Sequence, residues 1–244
     1  MLIAAVRTVL ACLAVSLYVL IFAPIGIGLA LLLGSVDLLY TLGHAGARLG
    51  LGLAGIRYRV AGRPPLDRAA VYCSNHQSNV DPVVLFQAIH PRMRILYKRE
   101  LDRIPLLTRA FRAGGFISID RHHREAAMRS IEAGAESIRR GRSFLIFPEG
   151  TRSKTEALLP FKKGGFIMAI RAQAPIVPVA IQGGRAAMEK GSWVIRPVTV
   201  SVRVGTPIET AGHSVDERDA FIERAREQII ALLAEGPIGE ETRN

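Results

Sequence analysis

Residues 8–36 contain no charged side chain. A run of about 20 apolar residues is enough to cross the hydrocarbon core of a bilayer, so a chain that opens this way must place the run in lipid or in a protein core. Core helices are seldom so long and so free of charge. A cleavable signal peptide fits poorly, because the preceding flank holds one arginine, Arg7, the run is too long, and no small-x-small cleavage site follows. Pro24, Gly26 and Gly28 interrupt the run and predict two helical pieces. These form either a kinked transmembrane helix or a helical hairpin lodged in one leaflet with both ends on the same side. Arg7 before the run and Arg48, Arg57 and Arg59 after it make both flanks positive, so the positive-inside rule does not choose between the two. Residues 34–55 remain apolar but are glycine-rich, and predict a second helix along the surface, with His44 as a packing residue. The expected organisation is an apolar helical membrane-anchoring segment over 1–60 and an α/β domain over 61–244, opened by the turn Gly62-Arg63-Pro64-Pro65.

Past that turn, short apolar runs alternate with amphipathic stretches. Strands are expected at 69–73, 93–98, 115–119, 143–147, 176–181 and 198–204. Helices are expected from Asp81-Pro82 onward, at 124–140, 163–173 and 215–234. Such alternation predicts an α/β fold, a mostly parallel mixed sheet flanked by helices, preceded by the N-terminal apolar anchor. In sheets of this kind the functional loops gather at the carboxyl ends of the strands. His76, Arg121 and Glu149 each follow a predicted strand, so one rim can collect them.

Charge narrows the partners. The net charge is +11, and between Pro91 and Arg171 there are 18 Lys and Arg against 8 Asp and Glu, a local balance of +10. A belt of this sign attracts lipid headgroups, phosphates or nucleic acid. No aromatic RNA-binding motif, zinc finger or helix-turn-helix pattern accompanies it, which argues against nucleic acid. Residues 101–111 form a basic amphipathic element suited to an anionic membrane surface. The two cysteines, Cys12 and Cys73, lie in apolar runs and make neither a disulfide framework nor a metal pattern. They are expected as buried, reduced thiols, which points to the cytosolic side.

Two clusters carry chemistry. In Ser74-Asn75-His76-Gln77-Ser78-Asn79-Val80-Asp81-Pro82, a histidine and an aspartate lie five positions apart beyond a buried strand. On one helix that spacing leaves the side chains about 140° apart. Asp81-Pro82 reads as an N-cap followed by proline at the first helical position, which leaves His76 in the loop before it. A curled loop can return the carboxylate to the imidazole Nδ1, where it orients the ring and stabilises its charged form. The alternative is that Asp81 only caps the helix. The second cluster, Phe147-Pro148-Glu149-Gly150-Thr151-Arg152-Ser153, combines a glycine turn with phosphate donors on Thr151, Arg152 and Ser153. Glu149 is expected to orient the arginine or to accept from a substrate hydroxyl. Lys162-Lys163-Gly164 adds positive charge near a helix start but is too short for a phosphate loop.

These blocks resemble the 1-acyl-sn-glycerol-3-phosphate acyltransferases, a family of glycerolipid acyltransferases. Asn75 to Asp81 matches the family's N-H-x4-D motif. Gly115-Phe116-Ile117-Ser118-Ile119-Asp120-Arg121 matches its glycine-to-arginine strand, apart from Ser118, where a bulkier apolar residue is usual. The Phe147–Ser153 block and the proline-containing strand Ile176-Val177-Pro178-Val179-Ala180 follow in the family's order. The resemblance covers residues 70–185. It implies that His76 is the general base, that Asp81 holds its ring, and that Arg121, Glu149, Gly150 and Arg152 shape the acceptor site with the arginines on phosphate. It implies acyl-CoA or acyl carrier protein as thioester donor, lysophosphatidic acid as acceptor, phosphatidic acid as product, no metal or resident cofactor, and a place on the cytoplasmic face of the inner membrane. The chain itself offers no G-x-S-x-G elbow and no convincing cysteine nucleophile, which suits direct attack. A backbone amide or Lys98 would steady the oxyanion. Other acceptors of the same chemistry are glycerol-3-phosphate and a lyso-ornithine lipid. The rival functions are a non-catalytic basic membrane adaptor and a thioester hydrolase.

Overall fold

Strand residues point to alternate faces of a sheet, and here that alternation feeds two separate cores. The computed structural model describes residues 2–120 and 123–239. Its strands are β1 (Ile56–Ala61), β2 (Val71–Ser74), β3 (Arg94–Lys98), β4 (Ile117–Ile119), β5 (Phe144–Ile146), β6 (Ile176–Gln182) and β7 (Val198–Val204). Val71 and Cys73 of β2, with Phe144 and Ile146 of β5, point into one core, whereas Tyr72 and Leu145 point into the other. All six are buried. Strands covered on both sides read as unbroken apolar runs, which is why these segments were legible despite their shortness.

The seven strands form one sheet in the order β1-β7-β6-β2-β5-β3-β4. Each pairing is parallel except that of β6 with β7. The helices are α1 (Leu2–Leu33), α2 (Asp37–Ala54), α3 (Asp81–Ala88), α4 (Pro105–Ala113), α5 (Arg124–Arg139), α6 (Gly164–Ala172), α7 (Gly184–Ala187) and α8 (Arg218–Ala234). Residues of α1, α2 and α3 share the core of Tyr72 and Leu145, and those of α5, α6 and α8 share the opposite core. The architecture is therefore the expected helix-flanked mixed sheet. β1 was not foreseen, because its apolar residues are interleaved with Arg57 and Arg59. It pairs with β7 and carries the sheet across the boundary expected at residue 60.

The N-terminal run departs from expectation. α1 passes through Pro24 without dividing. A proline inside such a helix is tolerated where neighbouring packing compensates for the lost N–H. The chain breaks instead at Gly34, whose φ of 65° takes the left-handed conformation that commonly ends helices. The result is a hairpin of α1 and α2, each of which had been expected as a separate feature. Glycines let the two helices approach closely: a Cβ on Gly46 would meet the Tyr18 ring at 2.8 Å, and one on Gly50 would meet Val15 at 3.0 Å. Tyr18 Oη closes the contact by donating to Leu42 O (2.9 Å). The outer face of α1 leaves Leu10, Leu13, Leu17, Leu20 and Ile21 exposed, as are Leu31, Leu32 and Leu33 at the turn. Contiguous apolar surface of this kind marks a partner or a membrane, and α1 is long and apolar enough to cross one. Cys12 is exposed on this helix rather than buried as expected, while Cys73 is buried.

Candidate active site

At the end of β2 the chain leaves the sheet but stays tied to it. The Asn75 side chain donates to Ile181 O (2.9 Å) and accepts from Ile181 N (2.8 Å), a side-chain imitation of one strand pairing with β6. This fixes the start of the loop that carries His76. The His76 Nδ1 lies 3.0 Å from Asp81 Oδ2, and the same oxygen accepts the backbone N–H groups of Gln77 and Ser78, each at 2.7 Å. Asp81 is therefore not the cap of α3. Val80 holds that position without a side-chain bond, and the Asp81 carboxylate, at the first helical residue, folds back over the loop. A donor is required at Nδ1, so in the neutral ring Nε2 carries the lone pair. Asp81 is fully buried and the His76 side chain is 15 % exposed. The imidazole stacks on Phe147 with centroids 4.2 Å apart.

Glu149 staples the two motif loops together. Its Oε1 accepts from His76 N (2.7 Å) and its Oε2 from Leu159 N (2.8 Å), while Ser153 N donates to His76 O (2.8 Å). Burial raises the Glu149 carboxyl above the usual carboxylate range, opposed by those two backbone N–H groups. Both oxygens are thus engaged by main chain, where the sequence suggested an arginine or a substrate hydroxyl. Gly150 has a φ of 71° and lies beneath Lys162, whose Nζ would be 3.0 Å from a Cβ at that position. Glycine is favoured there by the backbone conformation, whereas the flexible Lys162 tip can yield to a side chain. Lys162, visible in the sequence only as charge near a helix start, is in this way laid over the turn.

Thr151 Oγ1 accepts from Lys190 Nζ (3.1 Å), which also donates to Arg152 O (2.9 Å). The Arg152 guanidinium keeps one buried nitrogen, Nη1, without a partner. Lys98, Arg99, Arg103 and Lys162, with Gly150, line a polar cleft of ≈ 850 Å³. On its wall the Asp120 carboxylate holds Arg99 (2.6 Å) and His123 (2.8 Å). Arg121, the remaining expected site residue, lies outside the described residues. His76, Asp81, Glu149 and Gly150 are thus linked through hydrogen bonds and chain continuity, with Lys98 across the cleft. A second cavity of ≈ 300 Å³ is almost wholly apolar, lined by Tyr18 and Phe22 of α1, Phe86 of α3 and Phe111 of α4. It reaches Pro82 and Val83, the residues that follow Asp81.

Gly184 at the start of α7 escaped the sequence reading. A Cβ there would run into Asp81 Oδ1, an oxygen that is buried without a hydrogen-bond partner. Gly184→Ala is expected to push the carboxylate off the imidazole and lower turnover about 100-fold, the scale of an ångström's misplacement, with helix content preserved by circular dichroism. Near-normal turnover would show that this contact does not set the position of Asp81.

The acyltransferase family model matches residues 57–182. A protein named 1-acyl-sn-glycerol-3-phosphate acyltransferase from Limnanthes douglasii is 31% identical over 205 residues, spanning 83% of this chain and 73% of that one. A protein of the same name from Pseudomonas aeruginosa is 31% identical over 185 residues, spanning 75% and 71%. The crystal structure of the 1-acyl-sn-glycerophosphate (LPA) acyltransferase PlsC from Thermotoga maritima aligns with a TM-score of 0.81 over 99% of both chains at 21% identity, a likeness of fold. By matched domain and by relatives of this identity and coverage, the chain belongs to the 1-acyl-sn-glycerol-3-phosphate acyltransferase family of glycerolipid acyltransferases.

Proposed function

We propose that this acyltransferase moves an acyl chain from a thioester of coenzyme A or acyl carrier protein to the sn-2 hydroxyl of 1-acyl-sn-glycerol-3-phosphate, forming phosphatidic acid. The observation that carries the reading is the bond from His76 Nδ1 to the buried Asp81 carboxylate, in a loop stapled by Glu149 beside a polar cleft where Lys98, Arg99, Arg103 and Lys162 stand among Glu100, Asp102 and Asp120. With Nδ1 protonated, Nε2 takes the proton of the acceptor hydroxyl as its oxygen attacks the thioester carbonyl. Asp81 stabilises the imidazolium. The tetrahedral intermediate collapses with loss of thiolate, which recovers the proton from His76. Transfer is direct, without a covalent enzyme intermediate. Burial and the Glu149 charge push the Cys73 thiol up, which suits it poorly to act as a nucleophile.

The acceptor phosphate is assigned to Arg152 and Arg121, with Lys98 and Lys162, both lining the cleft, steadying phosphate or the oxyanion. Thr151 lines the turn, and Glu149 and Gly150 hold its shape. The apolar cavity, which reaches Pro82 next to Asp81 in the chain, takes an acyl chain. In this reading the α1–α2 hairpin is a one-leaflet anchor and the enzyme works at the cytoplasmic surface of the inner membrane, supported by the exposed apolar face of α1.

The test is thiol release by the purified protein in phospholipid vesicles, with lysophosphatidic acid, glycerol-3-phosphate or a lyso-ornithine lipid as acceptor, and with coenzyme A or carrier-protein thioesters. Lysophosphatidic acid is expected to give the highest kcat/KM, with one phosphatidic acid formed per thiol released. Thiol release that is indifferent to acceptor would instead identify a hydrolase, and vesicle binding without turnover a lipid-binding adaptor.

A further inference from the structure

Residues 187–196, between α7 and β7, form a closed loop whose contacts reach both catalytic loops and the apolar hairpin. Arg196 N donates to Ala187 O (2.7 Å) and closes its base. Ser78, in the His76 loop, donates its hydroxyl to Met188 O (2.9 Å). Lys190 holds the Thr151–Arg152 turn through the two bonds described above. At the far end Ile195 N donates to Thr8 Oγ1 of α1 (2.9 Å). Between Lys190 and Ile195 the chain projects Trp193, 62% exposed. Exposed Trp is unusual in a loop so fully tied down at both ends.

The surroundings of the loop identify what covers that side chain. Thr8 sits one residue after Arg7, and a Cβ added at Gly55 would meet both Arg7 and Pro197, so the loop's end lies at the base of the hairpin. Arg48 and Arg57 flank this base in sequence. Leu2, Ile3, Val6 and Val9 around Thr8 are exposed. Apolar surface rimmed by arginines, with an indole at its border, has the composition of a protein surface at the level of phospholipid headgroups. We propose that the 187–196 loop is a headgroup-contacting strap: Trp193 seats in the bilayer interface, and Lys190 transmits that seating to the acceptor turn. Lys190 is thus a positioning residue, acting through Thr151 and Arg152. The seating stands independently of the proposed reaction, whereas the coupling rests on it.

Trp193 is the only tryptophan in the chain, so the unmodified protein reports its own loop. The full chain is reconstituted in phosphatidylcholine–phosphatidylglycerol vesicles with and without acyl chains brominated near the headgroup. The expected result is strong quenching of tryptophan emission by the brominated lipid together with protection from iodide. Emission that iodide quenches freely and bromine does not would overturn the seating, and would leave the acyl-transfer reading untouched, because no substrate is present.

The coupling is read from kinetics on vesicle-borne lysophosphatidic acid. Trp193→Ser is expected to raise KM about three- to tenfold, the scale of one aromatic contact. Lys190→Met is expected to raise KM about tenfold, the scale of a charged hydrogen bond, with bromine quenching retained. In both, kcat stays within about twofold and the protein remains folded; Lys190→Met lowers the thermal midpoint by no more than the loss of its two hydrogen bonds. A Lys190→Met protein with normal KM, or one that loses kcat alone, would overturn the coupling.

Discussion

His76→Ala is expected to lower acyl transfer about 1000-fold, within the range of 10²–10⁴ contributed by a positioned general base and equivalent to about 4 kcal/mol of barrier. The fold should survive the change. Asp81 retains the Gln77 and Ser78 N–H donors, and the His76 backbone remains bonded to Glu149 and Ser153. What disappears is one hydrogen bond and the stacking on Phe147, a loss of about 1 kcal/mol for the bond. Turnover and thermal midpoint measured on the same preparation separate the two effects. An Ala variant that transfers acyl groups at a tenth of the normal rate or faster would remove His76 from the chemistry.

Asp81→Asn is expected to cost about 100-fold, less than loss of the base itself. Where an aspartate-to-amide change inverts the tautomer of a partner histidine, losses of about 10⁴ follow. Here that inversion is opposed locally. An amide NH2 at the Oδ2 position would face two backbone N–H donors at 2.7 Å, so the amide oxygen should stay there and keep Nδ1 protonated. The loss is then of the negative charge that stabilises the imidazolium. Asp81→Ala removes the acceptor from those two buried N–H groups as well, at about 1–3 kcal/mol each, and should lower the thermal midpoint substantially. Wild-type activity in Asp81→Asn would sink the role of the charge, and a loss of about 10⁴ would show that the amide had turned over.

The position of the site within the fold has a simple physical origin. β2 and β5 are adjacent and parallel, so the loops that leave their carboxyl ends emerge side by side. Glu149 then needs only to bridge them. This is the general behaviour of open parallel sheets, and it explains why His76 and Glu149, 73 positions apart, meet through one hydrogen bond. Rim placement was inferable from the strand pattern, because the innermost strands are covered on both faces and so stand out as apolar runs.

Other features were legible only in part. A hairpin within residues 8–36, turning at 24–28, was one of two expectations; the chain instead runs straight to Gly34 and pairs α1 with the segment expected as a surface helix. Proline and glycine signal a break only where packing does not compensate, and a neighbouring helix is invisible to local pattern. Edge strand β1 was missed because an edge strand need bury little on its outer side, so Arg57 and Arg59 are tolerated there.

By itself the sequence determined the fold class, the long uncharged apolar run and the residue types of the site: hydrophobic periodicity, freedom from charge and motif spacing are all local quantities. Only the tertiary structure decided what each group is joined to. It decided between the two readings of Asp81 in favour of an anchor for His76, gave both Glu149 oxygens to main chain, pressed Gly184 against Asp81 and tied the 187–196 loop to both the Thr151–Arg152 turn and the hairpin. Apart from the five-residue return of Asp81 to His76, those are contacts between segments up to 187 positions apart, set by which strands lie side by side, and no window of neighbouring residues contains them.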